Sequence, residues 1–268
     1  MQDETIYSFS RLESFHNCLR NYYYTYVLHK RGGDNIYSFL GTSVHDTVEA
    51  MDAGKMDKSD GYAAFLEAVD DADMMGLPWI SGNVKLNFVE SIAHYLLNYQ
   101  YKEIPYLHIE DKFVVNIGGV NIMGFIDKWF RDGDTIYIED YKTSTKFKPA
   151  DMIHKQRQLA IYARALEEKY PACKFVLRFN MLKYVNVGGK LVERYKVAEK
   201  GVFEPGLVSI PYTQELRQEV EDYVVSTVKE INSMDFDDVE KWSMAFDPKK
   251  DFFCNNLCGN QYLCVGGE

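Results

Sequence analysis

Residues 124–142 read GFIDKWFRDGDTIYIEDYK and decide the fold prediction, because two apolar runs flank a short polar segment. The Asp-Gly step within residues 131–134 is typical of a tight β-turn, so the stretch predicts two adjacent antiparallel strands. Carboxylates lie within both apolar runs, and a buried carboxylate is costly unless another group pairs with it or binds it. The stretch therefore predicts a strand pair and raises the question of a site at its acidic residues.

Strand alternation decides which acidic residues can act together. Successive side chains point to opposite faces of a strand, so Asp140 shares a face with Lys142 and Glu139 points away. We expect Glu139 at the surface or behind a site. The D/E-x-K pattern recurs elsewhere in the chain and is weak alone. One carboxylate holds Mg²⁺ or Mn²⁺ poorly, and Asp127 on the neighbouring strand is the candidate for a second.

Composition bounds the class of protein. The chain has 268 residues and a formal net charge of −10, which fits one large or two small domains and argues against non-specific coating of nucleic acid. No apolar stretch is long enough to span a membrane, and no secretory signal is visible, so we expect an intracellular (cytoplasmic) protein. Residues 141–164 carry six basic side chains against one acid, which predicts either a binding patch or a solvated helix face.

The remaining pattern predicts one α/β domain with a mixed sheet and a helical N-terminal portion. Residues 7–30 begin with Ser8 or Ser10 as a helix N-cap and predict a helix through Tyr26. In residues 41–54 a capping pattern predicts a second helix with His45 in its first turn. Residues 60–104 read as helical with a break near 76–83, residues 149–170 and 213–233 read as helices, and hairpins are expected at residues 118–119 and 188–189.

Five segments in order resemble the PD-(D/E)xK nuclease superfamily, in particular its RecB-like branch. They are SFSRLESFHNC (8–18), GTSVH (41–45), GFID (124–127), DYKT (140–143) and QLAIY (158–162). The resemblance covers nearly the whole chain apart from a poorly matched helical stretch at 55–104. It implies a restriction-endonuclease-like mixed sheet flanked by helices, in a single nuclease domain over 1–268. Within it we expect a helical N-terminal portion (1–105), a nuclease core (106–235) and a cluster-binding tail (236–268).

The resemblance also implies roles for individual residues. One or two divalent cations, Mg²⁺ or Mn²⁺, would be bound by His45, Asp127, Asp140 and the backbone carbonyl of Tyr141. Lys142 would orient or activate the attacking water and offset negative charge. The remaining implied groups are Gln158 and Tyr162, which would orient Lys142 and contact DNA, and Glu110, expected just before the first strand as a group behind the ligands.

The cysteines extend the resemblance. Five cysteines in an intracellular chain favour metal binding over disulfides. Cys18, Cys254, Cys258 and Cys264 are arranged as in the iron–sulfur subset, which includes CRISPR-associated RecB-like exonucleases and the AddAB helicase–nuclease, and this implies a structural [4Fe-4S] cluster. The three-residue gap between Cys254 and Cys258 departs from the usual two, and Leu19 stands where the subset has proline. Zinc therefore stays open as an alternative, as do free thiols, while Cys173 is expected in the core.

The expected function is a metal-dependent DNA exonuclease acting at DNA ends or on single strands. The alternative is a non-catalytic DNA-end-binding or assembly subunit of a recombination, repair or CRISPR-adaptation complex. No Walker A motif is present, so a helicase or another recombination or adaptation protein would be a separate partner. No membrane partner is expected.

Overall fold

A mixed six-stranded sheet forms the centre of the protein. The structure is a computed structural model that describes residues 5–30, 32–197, 203–238 and 252–265. The strands are β1 (Leu107–Ile117), β2 (Val120–Asp132), β3 (Thr135–Lys142), β4 (Lys174–Val187), β5 (Lys190–Glu193) and β6 (Glu204–Ile210). Their order is β1-β2-β3-β4-β5, with β6 also paired to β4, and the β3–β4 pair alone is parallel among these pairings.

Helices cover both faces of the sheet and confirm the predicted fold class. One face packs against α1 (Phe9–Asn17), α6 (Pro149–Lys169) and α7 (Gln214–Ser233). The other packs against α3 (Ile36–Asp52) and α5 (Gly82–Leu97), and α4 (Lys58–Met74) packs against these two helices. Shorter elements complete the described chain: α2 (Leu19–Tyr22), a π-helical turn (Tyr23–Val27), a 3₁₀ turn (Arg194–Lys196), α8 (Phe252–Asn256) and α9 (Gln261–Val265). Along the described residues, no helix is both long and apolar enough to cross a membrane.

Helix boundaries correct three details of the sequence prediction. Ser8 caps α1, but the chain is extended at Cys18, so no single helix runs through to Tyr26. The Asn35 side chain accepts hydrogen bonds from the backbone of Tyr37 and Ser38 and forms a capping box that starts α3 at Ile36. His45 consequently lies in the middle of α3 and not in its first turn. The predicted break within residues 60–104 is present, but the last of these helices, α5, ends at Leu97.

The hairpin predictions are confirmed. Gly118 and Gly119 have φ values of 57° and 88°, the positive values that a two-residue hairpin turn requires at both positions. Glu110, by contrast, lies inside β1 with φ 49°, so its expected place before the first strand is wrong. The β1–β2 ladder pairs Ile109 with Lys128 and Asp111 with Ile126, and it is interrupted between these pairs.

The described part of the tail docks against the N-terminal segment. Gly33 N–H donates to the Gly259 carbonyl at 2.9 Å, and Asn35 Nδ2 donates to the Leu257 carbonyl at 3.0 Å. Asn260 Nδ2 donates to Asn21 Oδ1 at 3.0 Å. A Cβ on Gly259 would overlap the Gly33 carbonyl oxygen, so the two backbones approach more closely than a side chain allows.

Candidate active site

Asp127 and Asp140 lie where β2 and β3 stop pairing. The final pair toward this end of the ladder is Lys128 with Glu139, so each aspartate lies one residue beyond it. Asp127 Oδ2 accepts a hydrogen bond from the Tyr141 backbone N–H at 2.8 Å. The side chain of Asp140 is almost fully buried. The structure thus brings the two predicted carboxylates to one point, bridged by the backbone of β3.

Helix α3 adds two groups to this point. His45 and Glu49 are four residues apart and therefore share a helix face. His45 Nδ1 lies 3.6 Å from Asp127 Oδ2. Ligand atoms of His45, Glu49 and Asp127 all lie within 4.8 Å of one another. Glu49 was not among the predicted site residues, although its spacing from His45 on one helix was a usable signal.

Burial and neighbouring carboxylates disfavour the ionised forms of the acids in this cluster. Burial, followed by the nearby Asp140 carboxylate, raises the pKa of Asp127 well above its usual range. Burial together with Glu110 and other acidic neighbours raises the pKa of Glu49 to about 7. Burial lowers the pKa of His45, which favours the neutral imidazole that metals bind. Two carboxylates and an imidazole that converge in this way fit Mg²⁺ or Mn²⁺.

A chain of polar contacts leads from Asp140 to α6. Lys142 Nζ lies 2.5 Å from Asp140 Oδ2 and donates to Gln158 Oε1 at 3.1 Å. Gln158 Nε2 in turn donates to the Tyr162 hydroxyl at 2.7 Å. Burial alone would lower the pKa of Lys142, but Asp140 and its other acidic neighbours leave that pKa raised. Lys142 is therefore a fixed, protonated donor beside the carboxylates.

The structure also places Glu139 and Glu110, two acidic residues considered in the sequence. Glu139 is buried and not at the surface, because Arg178 lies 2.6 Å from one carboxylate oxygen and Lys128 lies 3.6 Å from the other. Glu110 is exposed, and its charge contributes to the raised pKa of Glu49. Glu110 therefore lies at the margin of the cluster, within its electrostatic reach. The Tyr141 backbone lies close enough to the His45 imidazole to act on its pKa, so the predicted carbonyl ligand is near the cluster.

The basic segment is less positive than its composition indicates. Lys155 pairs with Glu13 at 2.7 Å and Arg157 pairs with Glu219 at 2.6 Å. By contrast, Lys146 and Lys148 are exposed, and no carboxylate of the described chain lies within ion-pair distance of either. Free positive charge thus concentrates in the loop between β3 and α6.

The four cysteines assigned to a cluster all fall within the described residues. Cys254 is buried, and Cys18, Cys258 and Cys264 are half-buried. Burial raises the pKa of Cys258, with smaller contributions from Cys264 and Cys18, so these thiols lie within electrostatic reach of one another. Among described residues no three thiols come within 4.8 Å. Cys173 is partly buried against the core.

Comparison with known proteins places the chain in a family. No curated protein matches it. A crystal structure of an Eubacterium rectale protein provisionally assigned as an exonuclease is similar, with 13% identity, a TM-score of 0.49, and coverage of 86% of this chain and 82% of the other. The structure of SSO0001 shows 15% identity and a TM-score of 0.31, covering 96% and 93%. At these similarities neither structure carries an argument about this chain. The PD-(D/E)XK nuclease superfamily model, however, matches residues 6–264, and the chain therefore belongs to the PD-(D/E)XK nuclease superfamily.

Proposed function

We propose that this chain is a divalent-metal-dependent deoxyribonuclease of the RecB-like branch, acting as an exonuclease on DNA ends or single strands. The observation that carries the proposal is the convergence of His45, Glu49 and Asp127 beside the buried Asp140 and its ion-pair partner Lys142. This combination of oxygen ligands, an imidazole and a fixed ammonium suits hydrolysis of a phosphodiester. It also argues against a purely DNA-binding role, which would need none of these groups.

Each group has a role that follows from its contacts. His45, Glu49, Asp127 and Asp140 would hold the cation, which when bound supplies polarisation of the scissile phosphate and a water of lowered pKa. Lys142 is protonated and donates toward charge that develops on the phosphate in the transition state. Gln158 accepts from Lys142 at 3.1 Å and so fixes the direction of the ammonium group.

Tyr162 holds the other end of Gln158. The Tyr162 hydroxyl accepts from Gln158 Nε2, which leaves the amide oxygen of Gln158 turned toward Lys142. Burial raises the pKa of Tyr162 well above its usual value, so the hydroxyl stays neutral. Tyr162 and Gln158 therefore position Lys142, and contact of either residue with DNA stays a prediction.

A nuclease assay with matched variants tests the proposal. Labelled linear DNA is incubated with the purified full chain and Mn²⁺ or Mg²⁺. Cleavage is expected for the wild type and lost in Asp140→Asn. Asp134→Asn is the control, because Asp134 lies at the opposite end of β3, where its carboxylate contacts only Thr135 and the exposed Lys174 among described residues. Equal cleavage by Asp140→Asn and wild type would refute the assigned site, and binding without cleavage under every metal would favour the non-catalytic alternative.

End dependence separates an exonuclease from an endonuclease. Single strands labelled at the 5′ or 3′ end are compared with circular single strands of the same sequence. An exonuclease degrades only the linear DNA, and the order in which the two labels are released gives its polarity. Cleavage of the circle at a similar rate would replace the exonuclease assignment with an endonuclease. Association with a helicase or a recombination protein stays a prediction.

We propose further that Cys18, Cys254, Cys258 and Cys264 hold a [4Fe-4S] cluster, with zinc as the alternative. The docking of the described tail onto residues 21–35 supports this, since it brings Cys258 and Cys264 within electrostatic reach of Cys18. A metal bound by these thiolates would join the two ends of the chain, and loss of their protons would accompany binding.

The cluster proposal has a direct spectroscopic test. The chain is purified without oxygen, and its visible absorbance, iron and zinc are measured. Four iron atoms per chain and broad visible absorbance are expected, and both should fall in Cys258→Ser. Cys173→Ser is the matched control, because that thiol lies against the core on the β4 side. A colourless protein with one zinc would establish the alternative, and a metal-free folded protein would refute both.

A further inference from the structure

A buried carboxylate at the end of α3 joins the elements that carry the metal-binding candidates. Asp52 is the last residue of α3 and is almost fully buried. A carboxylate at a helix C-terminus faces the negative end of the helix dipole, so helix formation gives no reason for its presence. Burial of a charge adds a further cost unless it is paired and hydrogen-bonded. Its contacts must therefore supply the explanation.

Three side chains donate hydrogen bonds to the Asp52 carboxylate. Asp52 Oδ1 accepts from the Tyr99 hydroxyl at 2.5 Å. Asp52 Oδ2 accepts from Lys128 Nζ at 2.9 Å and from the Tyr141 hydroxyl. The arrangement is more than a local cap, because Lys128 belongs to β2, Tyr141 belongs to β3 and Tyr99 follows α5.

The two strand partners of Asp52 are the sequence neighbours of the two active-site aspartates. Lys128 follows Asp127, and Tyr141 follows Asp140. Because strand side chains alternate, Lys128 and Tyr141 point to the face opposite the aspartates. Asp52 thus holds β2 and β3 from behind, one residue away from each carboxylate that faces the cluster.

The same carboxylate fixes the helix that supplies the other two ligands. His45, Glu49 and Asp52 follow one another at intervals of four and three residues and so lie along one face of α3. Tyr141 completes the link, because its ring meets the His45 ring edge-on at 5.8 Å between centroids. Its backbone N–H also donates to Asp127.

We infer that Asp52, acting through the Tyr141 hydroxyl and Lys128, is a positioning residue that sets the spacing between the ligands on α3 and the ligands on the strands. The inference rests on the proposed metal-dependent activity. Asp52 does not touch the reacting atoms. Its effect is on metal affinity, as expected for groups that orient ligands from behind.

Two tyrosine variants separate positioning from simple stabilisation. Tyr141→Phe and Tyr99→Phe each remove one phenol-to-carboxylate hydrogen bond from Asp52, but only Tyr141 connects Asp52 to β3. We expect similar losses in melting temperature for the two metal-free proteins. We expect Tyr141→Phe to weaken Mn²⁺ binding by about 10-fold, measured by calorimetry on the full chain, and Tyr99→Phe to change it by less than about 2-fold.

A second measurement needs no metal. Exchange of the Tyr141 amide hydrogen, which is bonded to Asp127, should be faster in Tyr141→Phe than in Tyr99→Phe, and Asp52→Asn should resemble Tyr141→Phe. Equal Mn²⁺ affinity and equal exchange in the two tyrosine variants would overturn the inference alone. A Tyr141→Phe protein that is unfolded beside a folded Tyr99→Phe would do so too, since the hydroxyl would then be structural. A folded wild type that binds no Mn²⁺ would overturn the proposed function and the inference together.

Discussion

Replacement of Glu49 by Gln should stabilise the metal-free protein at alkaline pH and weaken its metal binding. The pKa of Glu49 rises from 4.5 to about 7 in the folded protein, so the folded state holds this proton more tightly than the unfolded state. Stability is then lost as pH rises from about 4.5 through about 7, because ionisation in the fold costs free energy. Glu49→Gln cannot ionise and avoids this loss.

The size of the effect follows from the shift and the exposure of the side chain. In a dry site the shift would correspond to roughly 3 kcal/mol. Glu49 is only partly buried, and solvent screening reduces the expected gain to about 1 kcal/mol at pH 8. For a chain of this length that gain raises the melting temperature by about 2–4 °C. At pH 5 the folded wild type is protonated at Glu49, so the difference should nearly vanish.

Thermal unfolding with a chelator at pH 5 and pH 8 measures the stability of the metal-free protein. A titration with Mn²⁺ then measures metal binding. Saturating Mn²⁺ should stabilise the wild type more than Glu49→Gln, whose affinity should fall at least about tenfold. Glu67→Gln on α4 is the control, since Glu67 is exposed and no ion pair is formed by it with the described residues. If Glu49→Gln shows no gain at pH 8, or binds Mn²⁺ like the wild type, Glu49 does not belong to the cluster.

Three further predictions concern charge and packing. Lys142→Met should lower kcat by about 10²–10³-fold while Mn²⁺ affinity, measured by calorimetry, stays near that of the wild type; unchanged kcat would contradict its role. The double variant Lys146→Gln/Lys148→Gln should raise KM for DNA and reduce the salt dependence of binding, whereas Lys174→Gln at the far end of β3 and β4 should do neither. Gly259→Ala should undock the tail, seen as faster proteolysis near the C-terminus, because its methyl group would overlap the Gly33 carbonyl; a tail as resistant as that of the wild type would count against the docking described here.

Much of the fold could be predicted because its signals are local. Residues 118–119 and 131–134 marked hairpin turns through Gly and Asp, and alternation placed Asp140 with Lys142 on one face. The start of α3 was missed because Asn35 and Ser38 cap it through reciprocal hydrogen bonds. The capping pattern predicted within residues 41–54 does not start a helix. Local patterns therefore gave the elements more reliably than their boundaries.

The site was predicted less completely, because the burial of its acidic side chains depends on how distant segments pack together. The spacing of Glu49 from His45 indicates a shared helix face, but only the packing of α3 beside Asp127 shows that this face belongs to the site. No local signal singles out Asp52, and the sequence left Glu139 at the surface or behind a site, yet each has basic or phenolic partners from distant segments. Nothing in one sequence reports that Lys128 and Arg178 reach these carboxylates, so their burial could not be inferred.

Residues at the end of β3 belong to two polar networks, and the alternation of their side chains places these networks on opposite faces of the strand. Asp140 and Lys142 face α6 and Gln158, while Glu139 and Tyr141 face the buried charges around Asp52. A residue on the first face can change the chemistry directly, whereas one on the second face can change it only by moving the strand. Helix α3 touches both networks, with His45 and Glu49 at the first and Asp52 at the second. The distance between helix and strand is therefore set on the face that has no contact with the reacting atoms.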